Sequence, residues 1–243
     1  MIIHLDLRCK IEDFSFIESA IFIHNRVKVD WGGLTMVTAM INLLDYVVRN
    51  TGCDYILFIS GEDLPIVNPK HYDEYIDNEK NYVEYEPLPK SNWFLGGMNR
   101  VEYYYPFKSP QSMHSQLLIK LQKRLKIKKD IKKLDFNIYG GSQWININRK
   151  TGLYILDHYR GYVDFFKFCS IPDEMIFQTI IMNSPLKETV VNTNYRYLRY
   201  DRDNSNAAYL DENDRGRILS TDPLFCRKIK DEESFMKLKD LLI

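Results

Sequence analysis

The chain has 243 residues, 45% hydrophobic and 14% aromatic, enough apolar material for one large core, and a single domain over residues 1–243 is expected. Lys+Arg and Asp+Glu balance at 33 each, so no global charge points to nucleic acid or another polyanion, and any anion must be met by local charge. Cys9, Cys53, Cys169 and Cys226 lie far apart with no CxxC, which argues against a zinc site or a secreted disulfide framework and predicts core thiols in a reducing compartment.

Met1 is followed at once by IIHLD, an apolar strand that ends at Asp6 without a preceding element to cover it. Such a start predicts that a further strand-helix unit belongs upstream of residue 1. IEDFSFIESA reads as a short amphipathic helix and residues 20–23 as a strand. A glycine turn then leads into a long helix with Leu34, Val37, Met40, Ile41, Leu44 and Val48 on one face, ended by Gly52. YILFIS (55–60) has the nearly all-apolar pattern of a central strand, and it stops at GEDLPI. Ligands collect at such carboxyl ends, so Asp63 is a candidate site residue, with a turn or cap aspartate before Pro65 as the competing reading.

Residues 72–76 suggest a short helix, and YVEYEPL another strand. From residue 90 to 110 the pattern dissolves into aromatics and glycines around Arg100, as expected of a loop or hairpin lining a cleft. Between Lys120 and Lys133 basic residues are interleaved with Leu121, Leu125, Ile127 and Ile131, which favours a solvated face or a membrane-surface patch over a nucleic-acid arm. YGGSQWININ (139–148) reads as a buried strand entered through a glycine turn. Pro172, Asp173 and Glu174 then open a helix continued by Met175, Ile176 and Ile180, so a carboxylate sits at the positive end of a helix dipole, well placed to be a base. In VVNTNYRYLRY, Arg196 and Arg199 are an odd number of strand steps apart and point in different directions. Leu224 and Phe225 anchor an apolar patch before Arg227 and Lys228, and a final helix covers it. Alternating strands and helices imply an α/β architecture.

No span of the chain is apolar for long enough to cross a membrane and no signal peptide is visible, so a cytoplasmic protein is expected, at most peripheral to a membrane's inner face. GxGxxG, GxxxxGK[ST], HExxH and GxSxG are all missing, and His4, His24, His71, His114 and His158 lack ligand spacing. Asp201-Arg202-Asp203 has the DxD form of a cation site in nucleotide-sugar transferases, yet it lies among Asn and Ser where a turn is the ordinary explanation.

The ordered motifs WGG (31–33), SGEDLPI (60–66), RVEYYYPF (100–107), GGSQW (140–144), PDE (172–174), NSP (183–185), LRY (198–200) and DPLFCRK (222–228) resemble the core-2/I-branching enzymes. That glycosyltransferase family, number 14, includes β-1,6-N-acetylglucosaminyltransferases and peptide O-xylosyltransferases, and the chain looks most like its bacterial members. The resemblance implies a GT-A-like α/β fold with a central mixed sheet flanked by helices, here lacking the first strand-helix unit. It implies a UDP-sugar donor, a glycan or polysaccharide acceptor, and transfer of N-acetylglucosamine or xylose with inversion, with no metal cofactor and no nucleic acid. By position in its motifs, Glu174 would be the general base, Arg199 and Lys228 the diphosphate ligands, and Asp6 the acid on the nucleoside side. Asp63, Arg100 and Trp144 would serve the sugar or acceptor side. A degenerate member that binds a glycan or partner without catalysis, and a metal-dependent transferase of another GT-A family using Asp201 and Asp203, are the alternatives.

Overall fold

The computed structural model describes residues 1–14, 16–107, 109–200 and 207–242. The first half of the chain forms β1 (Ile2–Ile3), β2 (Ile21–Phe22), α1 (Leu34–Asn50), β3 (Tyr55–Leu57), β4 (Leu64–Pro65), β5 (Asn81–Tyr82), β6 (Glu86–Pro87), α2 (Met98–Glu102) and α3 (Met113–Arg124). The second half forms β7 (Tyr139–Gly140), β8 (Asn146–Asn148), α4 (Arg149–Phe166), α5 (Ile176–Met182), β9 (Val190–Val191), β10 (Arg196–Leu198), α6 (Arg215–Ser220), β11 (Phe225–Arg227) and α7 (Glu232–Leu242).

The apolar face expected of α1 is buried: Val37, Met40, Ile41, Leu44 and Val48 pack with Ile155 of α4 and with Ile176, Phe177 and Ile180 of α5. Helix α4 starts where the Asn148 side chain accepts from Thr151 N at 2.9 Å, a side-chain cap for an otherwise orphaned amide. Its first residue also closes α1, since the Arg149 guanidinium donates to the carbonyls of Val48 and Thr51 at the end of that helix. Beneath the helices lies a mixed sheet of order β3-β8-β5-β9, and a second sheet, β10-β11-β4, carries its own core of Leu64, Leu210, Ile218, Cys226 and Leu238. Two-stranded pairs β1-β2 and β6-β7 complete the α/β architecture as several small sheets. Among the described residues, no helix is long and apolar enough to cross a membrane.

Several expectations change. The 55–60 run is an ordered strand only over Tyr55–Leu57 and lies at one end of its sheet, pairing with β8 alone. Its other side borders an apolar cleft of about 320 Å³ whose lining also includes Met1 and Ile2. The helix expected before residue 20 is a single 3-10 turn, Ile11–Phe14, and the loop expected over 90–110 contains the short helix α2. The helix expected from Pro172 is split: Pro172–Glu174 is a 3-10 turn and α5 begins at Ile176, because Ile171 (φ 53°) and Met175 (φ −136°) are not helical. Two of the four thiols, Cys169 and Cys226, are buried; Cys53 is half-buried and Cys9 exposed, all of them free.

The β7–β8 connection passes the β5–β6 connection at a distance only glycine allows. A Cβ on Gly141 would lie 1.8 Å from the Glu84 carbonyl oxygen and 2.7 Å from its carbon, both backbone atoms that have no rotamer to yield. Gly141→Ala should therefore destabilise the protein by about 1–3 kcal/mol, the usual cost of overpacking. Gly161→Ala in α4, where nothing lies within 4 Å, should instead stabilise by up to about 1 kcal/mol. Urea denaturation of both variants checks the pair; a Gly141→Ala protein as stable as the parent contradicts the reading.

Candidate active site

A cavity of about 560 Å³ opens at the ends of β10 and β11, against the β7–β8 connection and the turn before α5. All three tryptophans of the chain, Trp31, Trp93 and Trp144, line it. Its walls carry charge in a defined arrangement. On one side stands Glu174, about a third exposed, whose Oε2 accepts from Arg100 Nη1 at 2.6 Å. Arg100 is held from behind: its guanidinium stacks 3.8 Å from the centre of the Trp93 ring. Trp93 in turn fits a slot floored by glycines, since a Cβ on Gly97 or Gly140 would come within 2.4 or 2.6 Å of the indole.

The opposite wall is cationic. Arg227 and Lys228, at the end of β11, line the cavity and share Glu62 Oε2 at 3.2 and 3.4 Å. Arg227 is buried and lies over the Trp144 ring at 4.7 Å, and its Nε and Nη1 make no hydrogen bond among the described residues. Behind it is a fully buried ion pair, with Arg196 Nε donating to Asp63 Oδ1 at 2.6 Å and Arg227 Nη1 at 3.7 Å from Asp63 Oδ2. Asp63 Oδ2 also accepts from the amide and hydroxyl of Ser60 at 2.7 and 2.6 Å. Among the described residues, Glu62 and Asp63 thus face Arg196, Arg227 and Lys228, two negative charges against three positive, so the described part of this wall has one positive charge in excess. A third pair, Lys90 Nζ to Glu84 Oε1 at 3.1 Å, closes the cavity between them.

Asp173 differs from its neighbour. Its side chain is buried, Oδ1 has no hydrogen-bond partner among the described residues, and burial, reinforced by the Glu174 charge, pushes its pKa up to about 7. It is not the helix-start acid that its place after Pro172 suggests.

Of the residues singled out in the sequence, Glu174, Arg100, Trp144 and Lys228 come together in the cavity, while Asp63, Asp6 and Arg199 are not part of its lining. Asp63 is the buried anchor of Arg196 rather than a sugar-facing group, because every contact it makes is internal. Asp6 binds Arg8 at 2.6 Å and accepts from Val29 N at 3.0 Å, so it ties the end of β1 to the segment before Trp31; the Arg8 guanidinium holds its carboxyl well below the usual range. Leu198 and Tyr200 of the β10 segment face the cavity, which turns Arg199 away; it bonds Asp214 at 2.5 Å and Asp211 at 3.4 Å. Arg227, Trp31, Trp93 and the Glu84–Lys90 pair also line the cavity, with no site role expected from the sequence. For the tryptophans a signal existed: each has a Gly-Gly pair within four residues, at 32–33, 96–97 and 140–141. Asp201 and Asp203 lie outside the described residues, among which no three His, Cys, Asp or Glu side chains cluster as for a metal ion.

Residues 3–215 match the family model of the Core-2/I-Branching enzyme. The chain belongs to this family. Core-2/I-Branching enzymes are glycosyltransferases of the β-1,6-N-acetylglucosaminyltransferase type, so this chain is a glycosyltransferase with a nucleotide-sugar donor and a glycan acceptor, and its mixed α/β architecture agrees with a GT-A-like fold. A search of curated proteins gave no match. The family match ends before β11, so Arg227 and Lys228 owe their place in the site to the cavity geometry.

The raised pKa of Asp173 has a signed consequence. Between its unfolded value near 3.8 and its folded value of about 7 the native state holds the extra proton, so this group makes stability fall as pH rises through that window. The loss amounts to about 1.4 kcal/mol for each pKa unit separating the two states. Asp173→Asn should be more stable than the parent at pH 8 and lose the advantage toward pH 4, as read by thermal unfolding across pH. A variant less stable than the parent at pH 8 contradicts a buried, protonated Asp173.

Proposed function

We propose that the protein is an inverting glycosyltransferase that moves N-acetylglucosamine or xylose from a UDP-sugar to a hydroxyl of a glycan or polysaccharide, without a metal ion. One observation carries the reading: a single cavity presents a carboxylate, Glu174, on one wall and the cations Arg227 and Lys228 on the other. Inversion at an anomeric carbon is one displacement, so a base must take the acceptor proton while positive charge stabilises the departing diphosphate on the far side of the sugar. Glu174 Oε2 is engaged by Arg100 and its other oxygen makes no hydrogen bond among the described residues, which suits it to accept from a substrate hydroxyl. Arg227 and Lys228 both line the cavity, and their positive charge, only partly offset by Glu62 and Asp63, is what a diphosphate would meet there. Arg227 thereby takes the role that the family resemblance implies for Arg199. The excess positive charge of this wall supports leaving-group stabilisation without a cation. Trp31, Trp93 and Trp144 supply apolar faces of the kind a pyranose ring packs on.

Transfer assays with UDP-N-acetylglucosamine and UDP-xylose test this. Glu174→Gln should lower kcat by about 10²–10⁴ while UDP affinity by calorimetry barely changes. Lys228→Ala should weaken UDP binding, with the difference shrinking at high salt. EDTA should leave the rate unchanged; loss of activity in EDTA with recovery on adding manganese would remove the metal-free mechanism, and glycan binding with no turnover of any donor would make the chain a binding protein.

A further inference from the structure

Helix α3 packs with its polar side inward. Ser115 and Gln122 are its buried residues: Ser115 Oγ donates to Ser109 O at 2.7 Å, and Gln122 both accepts from Tyr104 N and donates to Tyr104 O at 2.9 Å. Of its apolar residues, Leu118 and Ile119 are half-buried and the other three face out. Met113, Leu117 and Leu121 recur every fourth residue and are 74%, 58% and 50% exposed, and Leu125 and Ile127 extend the ridge at 57% and 45%. A water-exposed ridge of five large apolar side chains has no role in holding this fold together.

The charge around the ridge is of one sign. Residues 113–133 contain eight Lys or Arg and one acid, Asp130. Three of the cations are committed: Lys128 to Glu102 at 2.6 Å, Lys133 to Asp130 at 3.2 Å, and Lys129 to the carbonyl of Phe168 at 3.0 Å. Lys120, Lys123, Arg124, Lys126 and Lys132 form no ion pair among the described residues and flank the apolar ridge. Self-association would bring this cationic face against its own copy, like charge on like. A nucleic acid would leave the ridge uncovered. An anionic bilayer surface satisfies both parts at once, apolar side chains entering the headgroup boundary and ammonium groups meeting lipid phosphates.

We propose that α3 and the turn after it form a membrane-surface contact selective for anionic lipid, centred on Met113, Leu117, Leu121, Lys123 and Arg124. The contact lies next to the cavity rim, since Pro110, just before α3, packs on Gly32 beside Trp31. It is independent of the transfer chemistry and is read without donor or acceptor.

Sedimentation of the full chain with vesicles of phosphatidylcholine, with and without phosphatidylglycerol, provides the test. Binding should need the anionic lipid and weaken as salt rises. Each of Lys123→Gln and Arg124→Gln should weaken partitioning roughly fivefold, and Leu117→Gln/Leu121→Gln should abolish it. Because these side chains are exposed, the variants should keep the parent's melting temperature, which separates loss of the surface from loss of the fold. No binding, or equal binding to neutral vesicles, overturns the proposal. So does a dimer in solution that Leu117→Gln/Leu121→Gln converts to monomer, since the face would then belong to a second copy.

Discussion

The site depends on one close approach. At Gly141 three distant segments meet: the residue's amide donates to the Glu174 carbonyl at 2.8 Å, and its bare α-carbon lets the Glu84 carbonyl come where a side chain would otherwise be. The next residue continues the junction, with Gln178 of α5 donating to Ser142 O at 2.5 Å. The backbone of the Glu174 turn, the Glu84–Lys90 wall and the entrance to β8 are therefore fixed to one another by main-chain contacts. Those are stiffer than contacts between long side chains. Arg100 then has a fixed target, and the Trp93 slot made by Gly97 and Gly140 holds it from the other side.

The cationic wall is built on a different principle. A buried guanidinium is costly unless paired, and Arg196 is paired with Asp63 at full burial, accompanied by a hydrogen bond to Phe58 O at 3.0 Å. That pair spans β10 and the turn before β4, and Arg227 on β11 lies between those two strands. Asp63 cannot neutralise both guanidiniums, and Glu62 divides itself between Arg227 and Lys228, so positive charge is left over toward the cavity. Asp63 does not line the cavity, yet it belongs to the site's electrostatics. It sets how much charge the wall presents.

What could be read from the sequence was whatever repeats with a period. The buried face of α1 and the opposed directions of Arg196 and Arg199 follow from spacing alone, and the structure keeps both. Pairings between distant residues could not be read so. Asp63 and Arg196 are 133 residues apart, and Arg199 meets Asp211 and Asp214 only because those two acids cap the turn Glu212–Asp214. Ordered motifs placed Glu174, Arg100, Trp144 and Lys228 in one cavity, yet they carried Asp6, Asp63 and Arg199 along with them, because a motif records which residues recur near a site and not which way each one points. The inverted packing of α3 was hidden for a related reason: an apolar ridge at helical spacing is the usual signature of a core face, and only the surroundings show that this one faces water.

Asp173 and Glu174 show how local geometry divides roles between chemically similar neighbours. In a 3-10 turn successive residues point about a third of a turn apart, so two adjacent acids cannot share one environment. Ile171, in the left-handed region at φ 53°, aims the turn so that Asp173 enters the core beside Pro172 while Glu174 faces Arg100 and the cavity. Inside, without a hydrogen-bond partner for Oδ1 among the described residues, a carboxyl holds its proton further up the pH scale, so Asp173, with its pKa pushed up to about 7, is neutral in mildly acidic solution and only partly ionised at neutral pH. Glu174, not Asp173, is the carboxylate of this turn that lines the cavity, against a guanidinium that also orients it. A base needs exposure to its substrate and a fixed direction more than it needs any particular place in a motif, and of the two acids only Glu174 has both.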